Sequence, residues 1–217
     1  DVLPYFKRSQ NQERGASAYH GTGGPLNVAD LRSPSPLTQV FIEAGVQAGL
    51  PYNTDFNGPN PEGVGPFQVT QKDGRRCSTA RGYLVPARAR ANLTVITGAH
   101  ATQVLFENNR AVGVEYKHQG SLQQVSARLE IILSAGAIQS PRLLMLSGVG
   151  DARQLERIGI DPRHHLPGVG KNLQDHLDVM LVQACIRPVS YGITWRSVLR
   201  GGVDLLRYLL AGRGLFT

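Results

Sequence analysis

Cysteine is scarce. Cys77 and Cys185 are the only two in 217 residues, and they stand 108 positions apart. That spacing excludes a cysteine metal cluster and a disulfide framework, and it leaves two reduced, buried thiols as the reading. Aromatic residues make up 6% of the chain and are not interleaved with basic ones, so no base-stacking platform is present. No apolar run approaches the roughly 18 residues of a membrane span. No basic-then-apolar leader stands at the start. Without one, the acceptor triplet Asn92-Leu93-Thr94 says nothing about glycosylation. Phosphate-loop, G-x-G-x-x-G, G-x-S-x-G, H-E-x-x-H and EF-hand patterns are all missing. Methionine occurs only at Met145 and Met180, neither of them at the start. The chain opens in a helix-like run from Asp1 and stops just after an apolar helix. We therefore expect a central piece of a longer protein.

What is present is a chain with a sizeable core, 41% hydrophobic and 18% charged, which is neither disordered nor fibrous. Its net charge is +7, carried by 19 Arg and 4 Lys against 16 acidic residues. The charge is uneven. Residues 187–217 hold five Arg and one Asp, or +4, and the other 186 residues share +3. No basic block larger than a pair such as Arg75-Arg76 occurs in those, so no nucleic-acid partner is expected.

Local patterns place the elements. Gly21 to Pro25 is loop, followed by a short strand at Leu26-Asn27-Val28. Ser35-Pro36 starts a helix whose apolar stripe is Leu37, Val40, Phe41 and Ala44, closed by Gly49. Asn57 to Pro66 holds three Gly and three Pro in ten residues, a long loop of the kind that is functional or packed against something. Phe67, Val69 and Gln71 suggest a strand turning at Asp73-Gly74. Ser78 caps a short helix ended by Pro86. Strands are expected at Leu93–Thr97, at Thr102–Phe106, over Ala111–Tyr116, and from Val125. Leu129–Leu133 reads as a strand covered on both faces. It runs into Ser134-Ala135-Gly136, a small-residue turn, and then a helix opened by Ser140-Pro141 and stopped by Gly148. That geometry receives an anionic ligand, because free N–H groups and the helix dipole point at the turn. Asp151 opens a second helix with Leu155 and Ile158 on one side. Near the end, Leu205, Leu206, Leu209 and Leu210 form one helix face opposite Arg196, Arg200, Asp204 and Arg207, with Gly201-Gly202 weakening the start.

The run Gly136-Ala-Ile-Gln-Ser-Pro-Arg-Leu-Leu-Met-Leu-Ser-Gly-Val-Gly150 resembles the second signature of the glucose–methanol–choline (GMC) family of FAD-dependent oxidoreductases. Leu166 to His176 resembles the segment just after it. Arg76 to Leu84 resembles the family's Arg-x-Ser-x-Ala helix. Asn92–Val95 and Ala111–Glu115 resemble its β-meander. The likeness covers nearly the whole chain and is closest to the choline-dehydrogenase and alcohol-dehydrogenase branch.

The resemblance implies a mixed α/β (α+β) architecture, part of an FAD-binding α/β domain plus part of an antiparallel-sheet substrate-binding domain. Residues 1–91 and 171–217 would belong to the substrate domain and residues 92–170 to the FAD domain. FAD would be the cofactor of the longer parent, weakly held or not held by this piece. Ala101 maps to the adenine-contacting position, and Ser134, Ala135 and Gly136 map to the turn beside the adenosine and pyrophosphate. Asn172 and Asp175 are further cofactor-side candidates, with helix capping as the other reading. The family's dinucleotide fingerprint and catalytic histidine pair fall outside these residues. None of His20, His164, His165 or His176 matches a catalytic position, so no catalytic residue and no metal ligand is assigned.

The implied reaction is hydride transfer from a small alcohol to flavin. The competing reading is a non-catalytic module that uses the basic C-terminal helix on a membrane or an acidic partner. Self-association of the isolated piece, and a location that is cytoplasmic or peripheral to the inner face of a membrane, complete the expectations.

Overall fold

The computed structural model describes residues 1–180, 182 and 195–214. Cys185 and the side chains of Arg196 and Arg200 lie outside the described residues. Two compact units form, one from Asp1–Leu93 with Val182–Thr217, the other from Thr94–Leu181.

In the first unit, α1 (Leu3–Ser9) carries a proline in its first turn, where no N–H is needed, and runs directly into β1 (Gln10–Gln12). β1 pairs in parallel with β2 (Leu26–Val28). The intervening loop is held close, because a Cβ on Gly21 would overlap the Lys7 carbonyl. The centre of this unit is unusually polar. Buried Asn27 donates to the Gln71 carbonyl at 2.6 Å and to Glu13 Oε1 at 2.8 Å. Cys77 is buried against it and accepts from the Asn27 amide at 3.4 Å.

α2 (Pro36–Gln47) starts as its sequence predicts, with Ser35 Oγ accepting from the Leu37 amide at 3.3 Å, and Gly49 (φ 94°) lies just past its end. Its expected stripe does not form the buried face. Val40 and Phe41 are exposed, and Ile42 is the buried residue. The neighbour decides this: a Cβ on Gly45 would stand 3.0 Å from the Val64 side chain, so the face carrying Gly45 is the one pressed inward.

Beyond Val69, which bridges to Ala29, β3 (Gln71–Lys72) and β4 (Arg75–Arg76) form a hairpin. Asp73 and Gly74 both have positive φ (52° and 71°), the conformation a two-residue hairpin turn requires. A π-helical turn, Ala80–Leu84, then continues into α3 (Val85–Ala87). Pro86 therefore does not end the helix. The helix runs one residue past it, to Ala87.

In the second unit, β5 (Ala99–Glu107), β6 (Arg110–His118) and β7 (Ser121–Ser126) form an antiparallel meander. Its turns fall at Asn108-Asn109 and Gln119-Gly120, and the latter pair has φ of 50° and 84°. β7 thus begins four residues before the expected Val125, directly after its turn. Leu93–Thr97 is not a strand. Neither is Leu129–Leu133, where Leu129 is 90% and Ile132 75% exposed. A strand exists only through hydrogen bonds to a neighbour, and no strand among the described residues pairs with either segment.

α4 (Gly136–Leu146) packs against β5 and buries Leu143. It starts four residues before the expected Ser140, and Pro141 lies inside it. Pro141 has no N–H to give, so the Ala137 carbonyl one turn back, already inside the helix, receives no i→i−4 bond from it. β8 (Val149–Gly150) pairs in parallel with β9 (His164–His165), and α5 (Ala152–Arg157) lies between them in sequence. Leu155 is fully buried, whereas Ile158, expected on the same side, is 62% exposed.

α6 (Trp195–Ala211) belongs to the first unit and runs unbroken through Gly201-Gly202. Leu205, Leu206, Leu209 and Leu210 are exposed, and Asp204 pairs with Arg207 at 3.5 Å. Its C-terminal end meets the β3–β4 turn, where a Cβ on Gly74 would overlap the Gly212 carbonyl.

Candidate functional site

Ser134, Ala135 and Gly136 are exposed and lead into α4. Gly136 adopts a positive φ of 89°, and a side chain there would meet nothing within 4 Å. No side chain caps the helix. The one local acceptor, Ser140 Oγ, takes the Ala135 amide at 2.9 Å. The first N–H groups of an 11-residue helix are therefore open and unpaired within it. Small residues leave the main chain approachable. This is the donor set an anionic group needs, and the phosphates of a dinucleotide fit it.

Ala101 lies on β5 opposite Tyr116, just before the register shifts between Ala101 and Gln103. The bulge turns Thr102 so that its Oγ1 donates to Glu115 at 2.8 Å. Packing of α4 on β5 places Ala101 and the Ser134–Gly136 turn on joined elements. Asn172 and Asp175 sit in the irregular stretch after β9. Asn172 is left-handed (φ 58°), a conformation asparagine tolerates, and Asp175 accepts from the adjacent His176 amide at 2.8 Å. Neither caps a helix. Among the described residues, no hydrogen bond ties them to Ala101 or to the α4 turn.

A cluster the sequence did not reveal surrounds Asp151. Its carboxylate caps α5 by accepting from the Gln154 amide at 3.2 Å and pairs with Lys171 at 3.1 Å. His165 Nδ1 accepts from the Ala152 amide at 3.1 Å. That nitrogen is engaged with the main chain and is not free to act as a base. Gly170 lies under Met145, where a Cβ would come within 3.2 Å of the Met145 sulfur. The cap is legible at Asp151 itself; its partner Lys171, twenty residues on, carries no local signal.

The Lys171 ammonium first, then the Gln154 amide, hold the Asp151 carboxyl below its ordinary range. A carboxyl depressed by folded-state partners adds stability above its unfolded pKa, and that stability is lost as pH falls through the folded value. The α5 cap is therefore expected to loosen on acidification below the ordinary carboxylate range. In an NMR titration, the Gln154 amide should shift with Asp151, and D151N should abolish that response. A Gln154 amide that titrates equally in D151N contradicts the assignment.

In the first unit, an open hollow is lined by Leu31, Gln71, Gly74, Arg75, Arg76 and Tyr208. Gln71 Oε1 is the one buried side-chain polar atom without a partner among the described residues. The buried histidine, expected only as loop, is His20, tied to Gln10 and Asp55. Among the described residues there is no cluster of His, Cys, Asp and Glu able to hold a metal. No described helix is long and apolar enough to cross a membrane.

A family model described as GMC oxidoreductase matches residues 1–178. The chain is 48% identical over 215 residues to an alcohol dehydrogenase (acceptor) of Pseudomonas putida, covering 98% of this chain and 39% of that protein. It is 51% identical to an oxygen-dependent choline dehydrogenase of Cronobacter sakazakii, covering 99% and 39% of the two chains. Among solved structures, pyridoxine 4-oxidase from Mesorbium loti matches with a TM-score of 0.76 at 37% identity, covering 81% of this chain and 35% of that one. An FAD-dependent oxidoreductase from Chaetomium thermophilum shares the fold, with a TM-score of 0.85 at 24% identity over 99% of this chain and 40% of that one. The chain thus spans about two fifths of the length of these relatives.

Proposed function

The chain belongs to the GMC oxidoreductase family, and from that premise we propose that it is a segment of an FAD-dependent enzyme that oxidises a small alcohol. The observation that carries this is identity of 48–51% across nearly the whole chain to proteins named alcohol and choline dehydrogenase. Bound FAD supplies an acceptor for the hydride leaving the alcohol carbon. The residues of this chain bind and orient. The open N–H groups at Ser134–Gly136 take the anionic part of the cofactor, and the main chain at Ala101 meets the adenine. Asn172 and Asp175 border the cofactor in the segment beyond β9. The first unit lies on the alcohol side, where the glycine- and proline-rich loop of residues 57–66 borders the substrate. The proton acceptor comes from outside the described residues. Exposed apolar side chains, Leu129 and Ile132 among them, are covered by the rest of the enzyme, and uncovered they drive self-association.

The test is direct. The purified protein that carries this chain should show flavin absorbance. It should bleach when a primary alcohol is added without oxygen. A colourless protein, or a flavin that no alcohol reduces, overturns the reading.

A further inference from the structure

His20 is 7% exposed, yet its ring lies between two oxygens. Nε2 stands 2.8 Å from Asp55 Oδ2, and Nδ1 stands 3.2 Å from Gln10 Oε1. The orientation of the Gln10 amide is settled by a third group, because the same Oε1 accepts from the Gly21 main-chain N–H at 3.2 Å. A neutral imidazole offers one donor and one acceptor. Against the Asp55 carboxylate, which only accepts, Nε2 is the donor.

Asp55 organises residues 52–66, the lead-in from Tyr52 together with the glycine- and proline-rich loop of residues 57–66. Its Oδ1 accepts from the Asn57 amide at 3.1 Å, and its carbonyl accepts from Gly58 at 3.2 Å. Asn53 Oδ1 accepts from the Asp55 amide at 2.8 Å. The Asn53 amide group in turn donates to the carbonyls of Asn60 and Glu62 at 2.8 and 2.9 Å. The loop is thus wound on Asn53 and Asp55, and His20 fastens that core to residues 15–25. The other charged groups nearby are engaged elsewhere. Lys7 donates to the Ser17 and Ala18 carbonyls at 2.8 and 3.2 Å. Arg14 pairs with Asp30 at 2.6 Å while reaching the Thr54 carbonyl.

We propose that His20 is a positioning residue: a buried ring that clasps Asp55 through Nε2 and holds the loop of residues 52–66 in place. Its catalytic consequence rests on the reading that this loop borders the alcohol; the clasp itself does not. Removing the ring strands a part-buried carboxylate, and breaking such a pair costs more than the pair is worth. The loop then opens.

The experiment uses the whole protein with H20A, H20Q and D55N. Nitrogen NMR of the wild-type His20 ring should show a proton on Nε2. An unprotonated Nε2 overturns the clasp. Limited proteolysis should cut between residues 52 and 66 about tenfold faster in H20A, the scale of one lost charge-assisted hydrogen bond. H20Q, which still donates to Asp55, should recover most of the protection, and D55N should show cutting between the two. If H20A fails to fold, D55N carries the proteolysis test. Equal cutting in every variant overturns the proposal. With an alcohol as substrate, H20A should raise KM about tenfold and change kcat by less than about twofold, uniform loss of ground-state and transition-state binding. Faster cutting with unchanged KM keeps the clasp and removes its link to substrate. No turnover by the wild type overturns the proposed function, while the NMR and proteolysis results still decide the clasp.

Discussion

Truncating Leu155 to alanine is expected to remove about 2–5 kcal/mol from the unit formed by Thr94–Leu181, the range for a buried leucine cut to a methyl. Leu155 has no exposed surface, and its two methyl groups would lie 3.5 and 3.7 Å from a Cβ placed on Gly150. It thus packs one turn of α5 against β8. Its main chain is engaged as well: the amide donates to Asp151 at 2.9 Å, and the carbonyl accepts from Ile160 at 3.0 Å. Those bonds survive truncation, so the cavity cannot close by sliding the helix, and the loss should fall well inside the range. Ile158 is the control. It lies three residues on and is 62% exposed, so I158A should cost under about 0.5 kcal/mol. Urea denaturation followed through the second unit separates the two. Equal losses would mean that α5 packs on another face.

The features legible in the sequence are those decided within a few residues. Ser35 and Asp151 are caps because their oxygens reach an amide two or three positions on. Gly49 and Gly159 end helices because each adopts a positive φ at no steric cost, and Asn108-Asn109 turns a hairpin for a related reason. The α4 turn was legible by composition, since only small residues leave main-chain donors open. The failures of pairing and burial needed distant partners. Leu129–Leu133 has the β-branched content of a covered strand, but pairing is a property of two segments and composition describes one. The stripe on α2 follows from period alone. Which face is buried depended on Val64, nineteen residues beyond Gly45. The His20–Asp55 pair spans 35 positions and the Asp151–Lys171 pair 20, with nothing local to mark either.

Ser147 is the sharpest instance, and it supports the second large effect. It closes α4 and is 2% exposed. Its Oγ donates to the Leu143 carbonyl at 2.6 Å and accepts from the Val104 amide at 2.8 Å. Val104 is itself 3% exposed and lies on β5, beside the register shifts that interrupt the regular ladder. Water cannot replace a hydroxyl lost there. S147A therefore leaves the Val104 N–H buried without an acceptor, at a cost of about 1–3 kcal/mol. S140A removes a similar serine acceptor, that of the Ala135 amide, at an exposed position where water takes over. It should cost only a few tenths, about 0.5 kcal/mol at most, as surface changes do. Amide hydrogen exchange tells the variants apart: Val104 should lose protection in S147A and keep it in S140A. The same hydroxyl joins α4 to β5, so on the function proposed above S147A should also weaken flavin retention in the whole protein. If Val104 stays protected in S147A, a second acceptor holds it, and the hydroxyl is not what couples the helix to the meander.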